Sequence, residues 1–203
     1  MISVYNIKPK FQNSLKPVLS VLHHLNISAN QITLSSMFLS LCIGVLFWFS
    51  DFNHYFFLAL PIGLFLRMAL NALDGMMART YNQQTKLGEV LNEIGDVISD
   101  VLIFFPLLKF EADQTYLIVL FLCFGIINEF AGFIGRVISG TRRYDGPMGK
   151  SDRALVIGIY GIVSFIGVNL SDYSFYIFLL INLLLLLSTV IRLKRALNYG
   201  RDI

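Results

Sequence analysis

Six apolar runs, at about residues 31–51, 54–74, 87–109, 115–138, 153–170 and 173–192, divide the chain into segments close to the roughly 20 residues that cross a bilayer as a helix. The spacing predicts helices throughout, with Ser28 or Asn30 placed to cap the first and Gly140 to help end the fourth. The second and third runs are the ones interrupted by polar residues. Ahead of them, residues 5–27 set Lys8, Lys10 and Lys16 against Ile7, Phe11, Leu15, Val18, Leu19 and Leu22, a pattern suited to a helix lying in the membrane interface. Pro9 and Pro17 limit how regular that helix can be. The expected architecture is therefore an all-α integral membrane protein: an interfacial amphipathic segment at 1–30 and a six-helix transmembrane domain at 31–203.

Composition agrees with this pattern. The chain has 203 residues, 56% hydrophobic and 14% charged, with a net charge of +3 and mean hydropathy of +0.67, far from a soluble globular mixture. The start lacks the continuous apolar core and small-residue cleavage site of a signal peptide and is expected to stay in the mature protein. With six spans, Lys8, Lys10, Lys16, Arg79, Lys86, Arg136, Arg142, Arg143, Lys150, Arg153, Arg192, Lys194, Arg195 and Arg201 fall on one side and Lys109 on the other. That bias puts both termini and the polar stretch on the cytoplasmic face of a bacterial-type inner membrane. Cys42 and Cys123 lie in apolar runs without metal-ligand spacing and read as packing residues. His23 and His24 read as interfacial side chains. Nothing in the chain suggests nucleic-acid readout.

The candidate chemistry lies between Asn71 and Asp100, where Asp74, Glu93, Asp96 and Asp100 stand among amides and glycines. Ionisable groups at membrane depth are costly unless paired, hydrated or bound to a metal. Asn71 and Asp74 are three apart, while Asn92, Asp96 and Asp100 follow at intervals of four, so each set lines one face of a helix. Two oxygen-rich faces that oppose each other make a site for a hard cation, Mg²⁺ or Mn²⁺.

The pattern Asp74-Gly75-x-x-Ala78-Arg79, then Gly88, Asn92 and Asp96, resembles the signature of the CDP-alcohol phosphotransferases, integral membrane enzymes of phospholipid synthesis. The family motif carries four aspartates, and its first and third fall here on Asn71 and Asn92. The resemblance implies that CDP-diacylglycerol is the donor and CMP the leaving group. It implies that Asn71, Asp74, Asn92, Asp96 and Asp100 surround the metal, and that Asp96 takes the acceptor's proton. Gly75, Ala78 and Gly88 would let the backbones approach CDP, with Arg79 at its charged end. Close helix packing through small residues is the alternative for Gly75 and Ala78, and an ordinary interfacial role for Arg79. An asparagine oxygen can ligate a cation but brings no charge, so cation affinity should fall. A two-metal site with altered ligands, a one-metal site and a protein that lost catalysis all stay open. For Asp100, a paired or hydrated structural carboxylate is an equal reading.

A second constellation, Arg142-Arg143-Tyr-Asp-Gly-Pro-Met-Gly-Lys150-Ser-Asp152-Arg153, separates the fourth and fifth runs, and its Gly-Pro-Met-Gly core predicts a shaped turn. Lys150 and Arg153, with Arg136 and Arg192 or Arg195, are expected to form a basic pocket beside the acidic site. Its position resembles the acceptor-phosphate pocket of phosphatidylinositol-phosphate synthases, which implies a small anionic alcohol as acceptor. Arginines that only enforce topology are the competing reading. Glu129 either lines a lipid-substrate cavity or pairs with a basic residue. The family resemblance also implies a homodimer. A non-catalytic relative that binds CDP-lipid or a partner, and a small ion-coupled transporter, are the rival classes.

Overall fold

A computed structural model describes residues 8–168 and 170–198. The predicted interfacial residue Ile7 and the basic residues Lys8, in its side chain, and Arg201 lie outside what it describes. Among the described residues the chain is helical, in two compact units, residues 1–103 and 104–203.

The first unit opens with α1 (Lys8–His24), which stays helical through Pro17. Leu15, Leu19 and Leu22 turn one face of α1 toward Leu73, Met76 and Met77 of α3 (Ala59–Thr80) and Ala29 and Ile32 of α2 (Ala29–Trp48). Lys10 and Lys16 stay exposed. His23 stacks flat on Tyr81, ring centroids 3.6 Å apart. Of the two candidate caps of α2, Ser28 does the work: its hydroxyl accepts from the Gln31 N–H, and the Gln31 side chain accepts from the Ser28 N–H at 2.8 Å. A short 3₁₀ turn, His54–Leu58, leads into α3.

The second apolar run ends near residue 74, yet α3 continues to Thr80. Hydropathy changes there, but the backbone hydrogen bonds have no reason to stop. The chain turns at Asn82, whose φ of 54° is left-handed, and α4 (Lys86–Phe104) follows. Gln83 Oε1 accepts from the Ala29 N–H at 2.8 Å, tying this turn to the start of α2.

In the second unit, α5 (Leu107–Phe110) and a 3₁₀ turn precede α6 (Thr115–Ser139), α7 (Lys150–Phe165) and α8 (Ser171–Leu197). As the sequence predicts, Gly140 ends α6, with φ of +72°. Phe121 of α6 packs between Phe104 and Phe178. Arg192 Nε donates to the Asp145 carbonyl, and Arg195 pairs with the Asp145 carboxylate, so α8 holds the shaped turn between α6 and α7.

Ala29–Trp48, His54–Thr80, Ala112–Ser139 and Ser171–Leu197 are long and apolar enough to cross a membrane. The chain is a multi-pass membrane protein. The other two predicted spans differ for separate reasons: α4 carries Lys86, Glu89, Glu93, Asp96 and Asp100, and α7 has 16 residues. One packing expectation fails as well: Cys123 is exposed on α6, whereas Cys42 is partly buried. A thiol small enough for the interior is equally tolerated on an apolar surface, and the run around it says nothing about which side it faces.

Candidate functional site

In the first unit Arg67 ties the motif's two helices together. Arg67 of α3 precedes Asn71 by one turn and Asp74 by two, so the three share a face. Its Nη1 donates to Asp100 Oδ1 at 2.8 Å and its Nη2 to the Asp96 carbonyl at 3.3 Å. These bonds link α3 to α4 at Asp96 and Asp100. Asp100 is thereby given a cationic partner, the paired reading that the sequence left open.

The α3 face is oriented from α2. Thr33 Oγ1 donates to Asp74 Oδ2 at 3.0 Å, and Ser36 Oγ donates to Asn71 Oδ1 at 2.8 Å. Asp74 is buried, while Asn71, Asn92 and Asp96 are half-buried. A threonine and a serine three apart along α2 thus hold two of the motif's oxygens in place.

Gly75 and Gly88 serve different neighbours. The Arg79 guanidinium folds back over Gly75, where an added Cβ would stand 3.2 Å from Nη1. At Gly88 the space is taken by Asn30 of α2, whose Oδ1 would lie 2.6 Å from a Cβ. Ala78 packs against the core that α1, α2 and α3 share. Gly88 therefore allows α2 and α4 to approach, whereas Gly75 leaves room for a guanidinium.

All motif donors are oxygens, which suits a hard divalent cation. Among the described residues, however, no three Asp, Glu, His or Cys side chains gather around one point. The set fits a cation held by two carboxylates with amide oxygens completing it, and its charge is lower than a four-aspartate motif supplies.

In the second unit, Glu129 of α6 is buried and ringed by arginines. Arg142 Nη2 stands 2.7 Å from its Oε2, Arg153 Nη2 2.9 Å from Oε1, and Arg192 Nη1 4.0 Å from Oε1. Arg192 also donates to the Asn128 carbonyl at 2.6 Å and Arg153 to the Met148 carbonyl at 3.2 Å. Of the four predicted acceptor residues, Arg153 and Arg192 meet here, while Arg136 and Lys150 are half-buried on α6 and α7. The competing reading, arginines that merely enforce topology, does not describe Arg142 or Arg192: Arg142 is turned inward onto Glu129, and Arg192 onto the Asn128 and Asp145 carbonyls. Glu129 pairs with basic residues, among them Arg142 and Arg153, brought to it by the shaped turn.

The sequence reading gives Arg67 no role. Its signal was present: a charge inside an apolar run, on the same helical face as Asn71 and Asp74, needs a partner at that depth. Its Nε, buried without a hydrogen-bond partner among the described residues, leaves a donor unsatisfied. That costs about 1–3 kcal/mol.

Comparison with known proteins identifies the family and the fold. Residues 26–193 match the CDP-alcohol phosphatidyltransferase family. The chain is 42% identical to the inner membrane protein YnbA of Escherichia coli over 202 residues, covering 100% of both. It is 25% identical to a phosphatidylinositol phosphate synthase of Corynebacterium glutamicum over 167 residues, 80% of this chain and 74% of that one. Its fold is similar to that of a Mycobacterium tuberculosis phosphatidylinositol phosphate synthase solved with manganese and citrate (TM-score 0.74, 20% identity, 92% of this chain and 90% of that one). The same enzyme with CDP-DAG bound aligns with a TM-score of 0.68, over 92% of this chain and 95% of that one. With the family matched over residues 26–193 and a relative 42% identical over the whole of both chains, the chain belongs to the CDP-alcohol phosphatidyltransferases.

Proposed function

We propose that this enzyme transfers a phosphatidyl group from CDP-diacylglycerol to a small anionic alcohol, releasing CMP. The observation that carries this reading is the Arg67 bridge, which ties the helix bearing Asn71 and Asp74 to the helix bearing Asn92, Asp96 and Asp100. Asn71, Asp74, Asn92 and Asp96 would hold a Mg²⁺ or Mn²⁺, which when bound neutralises the diphosphate and polarises the reacting phosphorus. Thr33 and Ser36 keep Asp74 and Asn71 oriented toward it. Arg79, lying over Gly75, would meet the charged end of CDP, with Ala78 and Gly88 permitting close helix approach. Asp96 takes the proton of the acceptor hydroxyl. The acceptor oxygen then bonds to the lipid-bearing phosphorus as the diphosphate P–O bond breaks and CMP departs.

We assign acceptor binding to the basic cluster of the second unit. Arg142, Arg153 and Arg192 carry three positive charges against the single charge of Glu129, so the cluster is complementary to an added anion. Arg136 and Lys150 would complete it. A phosphorylated alcohol is the class this charge favours, and the likeness to phosphatidylinositol phosphate synthases supports it.

In this reading α4 and α7 also cross the membrane, giving six spans over 31–203. The described part of the N-terminal segment, residues 8–30, lies in the interface with Lys10 and Lys16 toward anionic headgroups. Both termini and the motif face the cytoplasm of a bacterial inner membrane, where nucleotide-activated lipid precursors are met, and two copies associate as a homodimer. Incubating the purified protein with CDP-diacylglycerol, Mn²⁺ and pooled phosphorylated and neutral alcohols, and identifying the product lipid by mass spectrometry, tests the reading. A phosphatidyl ester of a phosphorylated alcohol supports it; product from neutral alcohols alone overturns the acceptor assignment.

A further inference from the structure

The cation site proposed above is short of charge. Asn71 and Asn92 stand where the family motif has carboxylates, and among the described residues no third acidic side chain joins a pair to restore the loss. Two carboxylates, Asp74 and Asp96, balance one divalent ion. A second would be left uncompensated in a half-buried site.

A fixed cation already stands at that level. Arg67 is buried, its Nη1 lies 2.8 Å from Asp100 Oδ1, and its Nη2 is anchored on the Asp96 carbonyl. Held one turn from Asn71 on its own helix and against the backbone of Asp96, it repels a further cation from the end of the site where Asn71 has given up a negative charge. Nor can Asp100 change sides without loss, since leaving Arg67 for a metal strands a buried guanidinium. The two asparagines and the arginine therefore act in the same direction, removing negative charge and adding positive charge.

We propose that Arg67 takes the place of a second divalent cation, so that the chain binds one Mg²⁺ or Mn²⁺ and Arg67 supplies the other positive charge by way of its bonds to Asp100 and Asp96. This rests on the cation-assisted transfer proposed above, and the test separates the two. Mn²⁺ binding to the purified protein in detergent is measured by electron paramagnetic resonance and equilibrium dialysis, with CMP release assayed in parallel. One Mn²⁺ per wild-type chain is expected. Arg67→Lys should keep that stoichiometry and affinity, while Arg67→Gln should tighten binding roughly tenfold or admit a second ion, because a repelling charge is gone and Asp100 is released. The double variant Arg67→Gln, Asp100→Asn removes both charges, leaves no buried ion unpaired and should return to one Mn²⁺ with near wild-type affinity. That variant decides the matter even if Arg67→Gln does not fold: loss of Mn²⁺ binding there would make Asp100 a direct ligand and overturn the inference. Two Mn²⁺ per wild-type chain with normal CMP release would overturn it while leaving the transferase reading intact. No Mn²⁺ binding and no CMP release would overturn both.

Discussion

Arg153 Nη2 and Glu129 Oε1 stand 2.9 Å apart with both side chains buried, and this pair joins the start of α7 to the middle of α6. Arg142 reaches the other carboxylate oxygen at 2.7 Å, so one acid holds two segments that the sequence separates by the shaped turn. Glu129 is the counter-charge that lets several arginines share a membrane-depth interior.

Removing that counter-charge should be expensive. Glu129→Ala leaves buried guanidiniums uncompensated, and breaking such a pair from one side costs about 3–5 kcal/mol. Thermal unfolding of the purified protein in detergent should show a clear drop in midpoint, and Glu129→Asp a smaller one. An unchanged midpoint for Glu129→Ala would mean the cluster is hydrated and gains little from the acid.

Helix packing gives a contrast between two glycines. A Cβ at Gly44 of α2 would run into the Leu102 carbonyl of α4, a backbone atom that cannot step aside. At Gly95 of α4 it would meet the Met37 side chain, Sδ at 2.9 Å, which can rotate away. Gly44→Ala should therefore destabilise the protein by about 1–3 kcal/mol, and Gly95→Ala by less. Unfolding midpoints of the two variants, measured side by side, check the order.

Much of this architecture was legible beforehand because hydrophobic length and helical spacing are local properties. The asparagine and aspartate faces, the Ser28 cap and the Gly140 stop all follow from residues within a few turns of one another. What escaped depends on pairings between helices. Arg67 looks like one stray charge in an apolar run until α4 supplies Asp100 and the Asp96 carbonyl, and Glu129 looks nearest to Arg136 until the turn returns Arg142 and Arg153 to it. The role of Gly88 is a further case: its neighbour Asn30 lies on another helix, so the motif alone does not say what fills the space.

Restoring the missing charge should strengthen cation binding. Asn71→Asp together with Asn92→Asp adds two carboxylates beside Asp74 and Asp96, and Mn²⁺ affinity should rise by roughly tenfold or more. Equilibrium dialysis against Mn²⁺ reads this directly. Unchanged affinity would show that neither amide faces the ion.

Charge at the acceptor cluster should appear as a binding effect. Lys150→Gln removes a cation at the start of α7 without cutting into the Glu129 pairs, so the acceptor's KM should rise several-fold with kcat nearly preserved. Steady-state CMP release against acceptor concentration separates the two parameters. A fall in kcat at constant KM would place Lys150 in the chemistry instead.

The central claim is that Asp96 serves as the base in a phosphatidyl transfer, and single-turnover CMP release from CDP-diacylglycerol by wild-type protein and Asp96→Asn tests it most directly. The account predicts acceptor-dependent CMP from the wild type and none above background from Asp96→Asn, with nucleotide binding retained in both. Equal CMP release from the two proteins would contradict it, and so would a wild type that binds CDP-diacylglycerol yet releases no CMP with any acceptor.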